Sequence, residues 1–178
     1  MENNLTKHSR LVLRLVLTGT VFGGLAMAGC DDVNNLYVAK PVPAPVNLTL
    51  PKTITIHEFT NTRTFDEAGG VLGIDARVEA LDSFGDTTKA FGDFRFELYK
   101  YKPDAPDPRG VRVMVWEEKL MDPKENRIHW DEINRAYQFK LECDNGLPVG
   151  DKFVLVVTFS SPFTERIFSK QRTFMAGQ

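Results

Sequence analysis

Tyr137-Gln138-Phe139-Lys140-Leu141-Glu142-Cys143 places a large apolar side chain or a thiol at every second position, with a polar one between. Successive side chains of an extended strand point to opposite faces, so this run has one face for a core and one for water. The same period of two governs most of the chain beyond residue 52. Ile74, Ala76, Val78 and Ala80 alternate with Asp75, Arg77 and Glu79; Phe94, Phe96 and Leu98 alternate with Arg95 and Glu97. Val111, Val113 and Val115 alternate with Arg112 and Met114, which predicts that the valines face the core. Ile54, Ile56 and Phe59 open the series, the most apolar run, Phe153 to Phe159, predicts a central strand, and Ile167 to Phe174 closes the chain. Alternation with one polar face belongs to antiparallel sheet.

Turn-forming residues separate these runs at Gly69-Gly70, Ser83 to Asp86, Pro103 to Gly110, Asp122-Pro123, Asp144-Asn145-Gly146 and Ser161-Pro162. Asn-Gly is the strongest of these signals, because a tight turn needs positive φ. Helix is nearly absent. Thr64-Phe65-Asp66-Glu67 has the form of a capping box but meets Gly69-Gly70 within a turn, and Trp130 to Tyr137 has room for one turn more. The expected fold is therefore all-β, an antiparallel β-sandwich of about seven or eight strands, immunoglobulin-like or transthyretin-like. The Cys–Trp–Cys pattern of antibody domains is missing. Phe84-Gly85-Asp86 recurs as Phe91-Gly92-Asp93, which reads as shared turn chemistry rather than a repeat.

Composition sets the outer bounds. The 178 residues carry a formal net charge of −2, with 42% hydrophobic and 26% charged residues. That excludes a disordered, collagenous or polytopic membrane chain. A pI near 5.9 with mixed charges gives no footprint for nucleic acid.

Residues 1–29 read as a secretory signal peptide. Lys7, Arg10 and Arg14 supply the positive region, and Leu15 to Leu25 an apolar stretch too short to span a bilayer. Met27-Ala28-Gly29-Cys30 then resembles the lipobox of bacterial lipoproteins, with Met27 where Leu is usual. The resemblance implies cleavage before Cys30 and lipid modification of Cys30. Several acyl chains anchor firmly where one does not. Asp31 directly after the cysteine favours retention in the inner membrane, with the outer membrane as the alternative. The mature chain keeps 19 basic and 23 acidic residues, so attachment rests on Cys30 rather than on charge. If Cys30 carries lipid, Cys143 has no intrachain partner, and its place in the 137–143 alternation points it into the core as an inert thiol.

Residues 30–52 read as a tether. Lys40-Pro41-Val42-Pro43-Ala44-Pro45 favours extended polyproline geometry, although Val46 to Leu50 also fits a first edge strand. Residues 53–178 form the domain, long enough to bury roughly two-thirds of its unfolded surface unaided.

Chemistry is sparse. His57 and His129 are far apart in sequence, no HExxH or CxxC occurs, and no GxSxG elbow surrounds a serine. No metal, cofactor or catalytic residue is expected. Asp82, Asp86, Asp93, Asp104, Asp107, Asp122, Glu125, Asp131 and Glu132 lie in loops, where acids are usually solvated turn residues. The aromatics are more suggestive. Tyr99 and Tyr101 fall on the face of Arg95 and Glu97, Trp116 breaks the valine alternation and is expected to face outward, and Trp130 adjoins His129. Tyr99, Tyr101, Trp116 and Trp130 are thus the expected binding residues. The expected function is a lipid-anchored, non-enzymatic interaction or scaffold module of the cell envelope, facing the periplasm and meeting an envelope protein; the alternative is a periplasmic glycan-binding sandwich.

Overall fold

The computed structural model describes residues 46–64 and 72–177. The expected signal peptide, Cys30, most of the tether and most of the 64–70 segment lie outside them. Ten strands follow in chain order: β1 Thr53–Ile56, β2 Asn61–Thr64, β3 Leu72–Leu81, β4 Asp93–Tyr101, β5 Arg109–Lys119, β6 Trp130–Asp131, β7 Ala136–Glu142, β8 Lys152–Ser160, β9 Ile167–Phe168 and β10 Arg172–Met175. One sheet runs β1-β3-β7-β6, with β2 also on β3; the other runs β10-β8-β4-β5, with β9 also on β8. Every pairing is antiparallel. The fold is an all-β sandwich, as the period of two predicts. The strands beyond the expected seven or eight are the short ones, β2, β6 and β9.

The alternating apolar residues meet between the sheets. Ile74, Ala76 and Val78 of β3, Phe94, Phe96 and Leu98 of β4, Tyr137, Phe139 and Leu141 of β7, and Phe153, Leu155 and Phe159 of β8 are buried. Phe94 is the hub: its ring lies 4.9 Å from Phe159, 5.3 Å from Phe139 and 5.7 Å from Tyr137, all tilted. Such aromatic pairs stabilise by about 0.5–1.5 kcal/mol beyond the area they bury. Gly92 stands just before this layer because a Cβ there would run into the Ser160 carbonyl and the Phe159 ring.

Two expectations need correction. Val111, Val113 and Val115 face outward, and Trp116 faces inward. The register pairs Leu98 with Met114 and Phe96 with Trp116 on the core side, and Glu97 with Val115 on the solvent side. Two register shifts opposite Tyr99 rephase the first half of the strand. The wide Met and Trp side chains cover more of the core than valine would, and the Trp116 indole N–H donates to the Glu142 carbonyl at 2.8 Å. The second correction is a helix, α1, Pro123–His129. Asp122 caps it by accepting from the Lys124 N–H at 2.6 Å, and Pro123 occupies its first turn. Phe59 is exposed as well, because β1 ends at Ile56.

Residues 46–52 pack on the domain, and Val46–Thr49 is a 3-10 turn rather than an edge strand. The Leu48 carbonyl accepts from Ser83 N–H at 3.1 Å, the Thr49 carbonyl from the Thr88 hydroxyl at 2.8 Å, and the Leu81 carbonyl from Lys52 N–H at 2.7 Å.

A polar clamp closes the core beside α1. The buried Tyr137 hydroxyl accepts from Ala90 N–H at 2.8 Å and donates toward Asn126 Oδ1 at 3.0 Å, while Asn126 Nδ2 donates to the Ala90 carbonyl at 2.6 Å. Tyr137→Phe leaves the ring in place and strands the Ala90 N–H. Urea unfolding should show a loss of about 1–3 kcal/mol with an unchanged slope.

Candidate functional site

The outer face of β4 and β5 carries the densest polar network in the described residues. Glu97 Oε1 accepts from Arg112 at 3.0 Å and Arg95 at 3.2 Å, and Glu97 Oε2 accepts from the Tyr99 hydroxyl at 3.2 Å. Arg95 also reaches Glu117 at 2.6 Å. These contacts follow from the register, which sets Arg95 opposite Glu117 and Tyr99 opposite Arg112. Partial burial pushes the Glu97 carboxyl up, but the hydrogen bonds from Arg95, Arg112 and Tyr99 together outweigh it and hold it below the ordinary carboxylate value. At the far end of the strand pair, the Arg109 side chain donates to both Asp107 carboxylate oxygens, from Nε at 2.9 Å to each and from Nη2 at 2.6 Å to Oδ2.

The four expected binding aromatics do not share one surface. Tyr99 and Tyr101 lie half-buried on this outer face, as their phase predicts. Both rings are already faced by cations: the Arg109 guanidinium sits 5.8 Å from the Tyr99 centroid, and Lys152 Nζ 5.7 Å from that of Tyr101. Trp116 lies on the opposite side of β5, packed against the core. Trp130 belongs to the other sheet; its ring meets Tyr137 edge-on at 5.0 Å and carries Lys89 Nζ at 5.1 Å.

The histidines separate likewise. His57, in the β1–β2 turn, meets the Phe59 ring in a tilted contact at 4.9 Å. His129, at the end of α1, lies 3.0 Å from the Gln138 carbonyl through Nδ1 and stacks on Phe139 at 4.8 Å. The loop acids organise turns. Asp82 accepts from the Phe84 and Asp86 N–H groups, and Asp131 from those of Ile133 and Asn134. Among the described residues no group of three His, Cys, Asp or Glu side chains is placed to hold a metal ion.

Sequence reasoning missed two features. The first is that β5 is an edge of its sheet, with Val111, Val113 and Val115 exposed along it. The second is a set of exposed apolar side chains in the loops at one end of the sandwich, including Phe84, Ile128 and Ile133. Their signal was an apolar residue inside a segment otherwise made of turn formers. Beside that end, a groove of about 570 Å³ runs between the 46–52 segment and the 163–168 segment, lined by Leu50, Ser83, Phe163, Arg166 and Phe168.

Comparison with protein-family models, curated proteins and solved structures finds no match to any of them.

Two measurements check this geometry. In Glu97→Gln the charged acceptor of three donors is lost. A carboxyl held low in the folded state contributes stability above its ordinary value near 4.5, and that contribution fades as pH falls through the folded pKa. The stability gap between wild type and variant should be widest near neutrality and close in acid. Cys143 is buried, and burial, with the Asp144 charge adding to it, pushes its thiol up to about 11. It should resist Ellman's reagent at about pH 8 in the native protein and react on unfolding.

Proposed function

We propose that this chain is a non-enzymatic interaction module of the cell envelope, held on a membrane through lipid at Cys30, that engages a protein partner along the open edge of β5. The observation that carries the reading is that edge. β5 spans Arg109–Lys119, eleven residues, and pairs within the described residues with β4 alone. An edge strand leaves a row of backbone donors and acceptors free, and proteins normally blunt it. Here Val111, Val113 and Val115 are exposed beside it. Leu120 N–H donates to the Gly92 carbonyl, so the even-numbered residues from Met114 to Leu120 turn their backbone groups toward β4. The odd-numbered residues Val115, Glu117 and Lys119 therefore offer theirs outward. An incoming strand would gain main-chain hydrogen bonds from these and side-chain contact from the valines. The lipobox resemblance and the Pro-rich 30–52 segment support the anchoring half of the proposal. The glycan alternative has less behind it, because the rings of Tyr99 and Tyr101 are already faced by cations.

The test is mild cross-linking in native membranes, purification in detergent and mass spectrometry of what co-purifies. Val113→Lys adds a charge to the edge at an exposed position and should leave the melting temperature unchanged. The wild type should recover a specific partner, Val113→Lys should recover far less of it, and Cys30→Ser should leave the membrane fraction. Equal recovery by wild type and Val113→Lys would contradict the edge as the docking site.

A further inference from the structure

Among the described residues, the exposed apolar side chains are unevenly divided between the two ends of the sandwich. One end collects the β3–β4 loop, the β5–β7 segment with α1, the β8–β9 loop and the entering chain at Val46. There Phe84 is 69% exposed, Ile128 63% and Ile133 93%, and Leu48, Phe91 and Phe163 are exposed too. At the opposite end, in the β1–β2, β4–β5 and β7–β8 loops, the large exposed apolar side chains among the described residues are Phe59 and Val149.

The segments of the rich end are tied to one another. Ser83, beside Phe84, is hydrogen-bonded to the Leu48 carbonyl. Phe91 and Phe163 pack at 5.7 Å. Asn126 of α1 donates to the Ala90 carbonyl, and Arg135, beyond Ile133, reaches the Thr87 carbonyl at 3.3 Å. Loops normally tip themselves with polar residues, and contiguous apolar exposure marks a partner or a membrane.

We infer that this end is a second membrane contact, and that Phe84, Ile128 and Ile133, flanked by Phe91 and Phe163, enter the interfacial layer of the bilayer. The place where the chain enters the domain selects a bilayer over a protein. Val46 lies on this end, and only residues 31–45 separate it from Cys30. Fully extended, that stretch reaches about 55 Å, so a chain lipidated at Cys30 keeps this end near the surface at high effective concentration. The geometry thus rests on the anchoring proposed above. Aromatic and aliphatic tips suit the boundary between headgroups and acyl chains. Lys89, Lys124, Arg127 and Arg135 are outnumbered by Asp82, Asp86, Asp122, Glu125, Asp131 and Glu132, so this end offers no basic patch for anionic lipid. Binding is therefore apolar in origin and changes little between zwitterionic and anionic lipid.

The full-length processed protein, reconstituted into phosphatidylcholine vesicles carrying a diazirine on the acyl chain, tests this by photolabelling and peptide mapping. Peptides holding Phe84–Phe91 and Ile128–Ile133 should take up label several-fold above those holding Phe59 or Val149. In Phe84→Asp/Ile133→Asp that label should fall, with the melting temperature kept because both side chains are exposed. Cys30→Ser at high vesicle concentration should label the same peptides more weakly. Label on these peptides with an unmodified Cys30 in the native protein would sink the anchoring proposal and uphold this one. A lipidated Cys30 with no label in these loops, or equal label at both ends, would overturn it.

Discussion

Everything in this sandwich hangs on the aromatic layer around Phe94. Its ring touches partners in β4, β7 and β8, so one side chain ties both sheets together. Cys143, the free cysteine of the described residues, is buried rather than paired, so burial carries the fold here in place of a disulfide. Phe96 against Phe139 at 4.8 Å extends the layer, and Tyr137 brings a hydroxyl to its rim. That hydroxyl is bound by Ala90 and Asn126, which fixes the β3–β4 loop and α1 against the same core. Two of the segments at one end, the β3–β4 loop and α1, are therefore tied directly to the core.

Packing alone does not explain what the molecule leaves outside. A valine costs little at a solvent-facing edge, yet three are exposed in one edge strand, and Val115 among them lies opposite Glu97 of the Arg95–Glu97–Arg112 network. Phe84 and Ile133 have no packing role either, being among the most exposed large hydrophobics. The two surfaces divide the molecule between a proposed partner along β5 and a proposed bilayer at the end where the chain enters.

β3, β4 and β7 were legible because one face is mostly buried and the other mostly more exposed, and β8 by its continuous apolar run, whose Val154 and Val156 are buried as well as Phe153, Leu155 and Val157. β5 defeated the same rule. Its bulges opposite Tyr99 change the phase midway, and Met114 with Trp116 outcompetes valine for the core side. β2, β6 and β9 have too few residues to display a period. α1 buries none of its residues, so it shows no apolar stripe, and its Asp-Pro start signals a turn as readily as a helix. Tyr99 and Tyr101 were placed on the correct face by parity with Glu97, whereas the error over Trp116 follows from the wrong phase for β5. Cys30 lies outside the described residues, so its reading stays with the lipobox resemblance. The apolar loop end had no periodic signature, because it is assembled from four separate segments.

Neutron reflectometry of the full-length protein on a supported bilayer puts the account's central claim to the most direct test. It measures how far the folded domain stands from the lipid. If the apolar end meets the interface, protein density begins within the headgroup layer, with no water between, and stays there when anionic lipid is removed. A water-filled gap between headgroups and domain, of up to the length that residues 31–45 can span, would show a domain held off on its tether and would contradict the account.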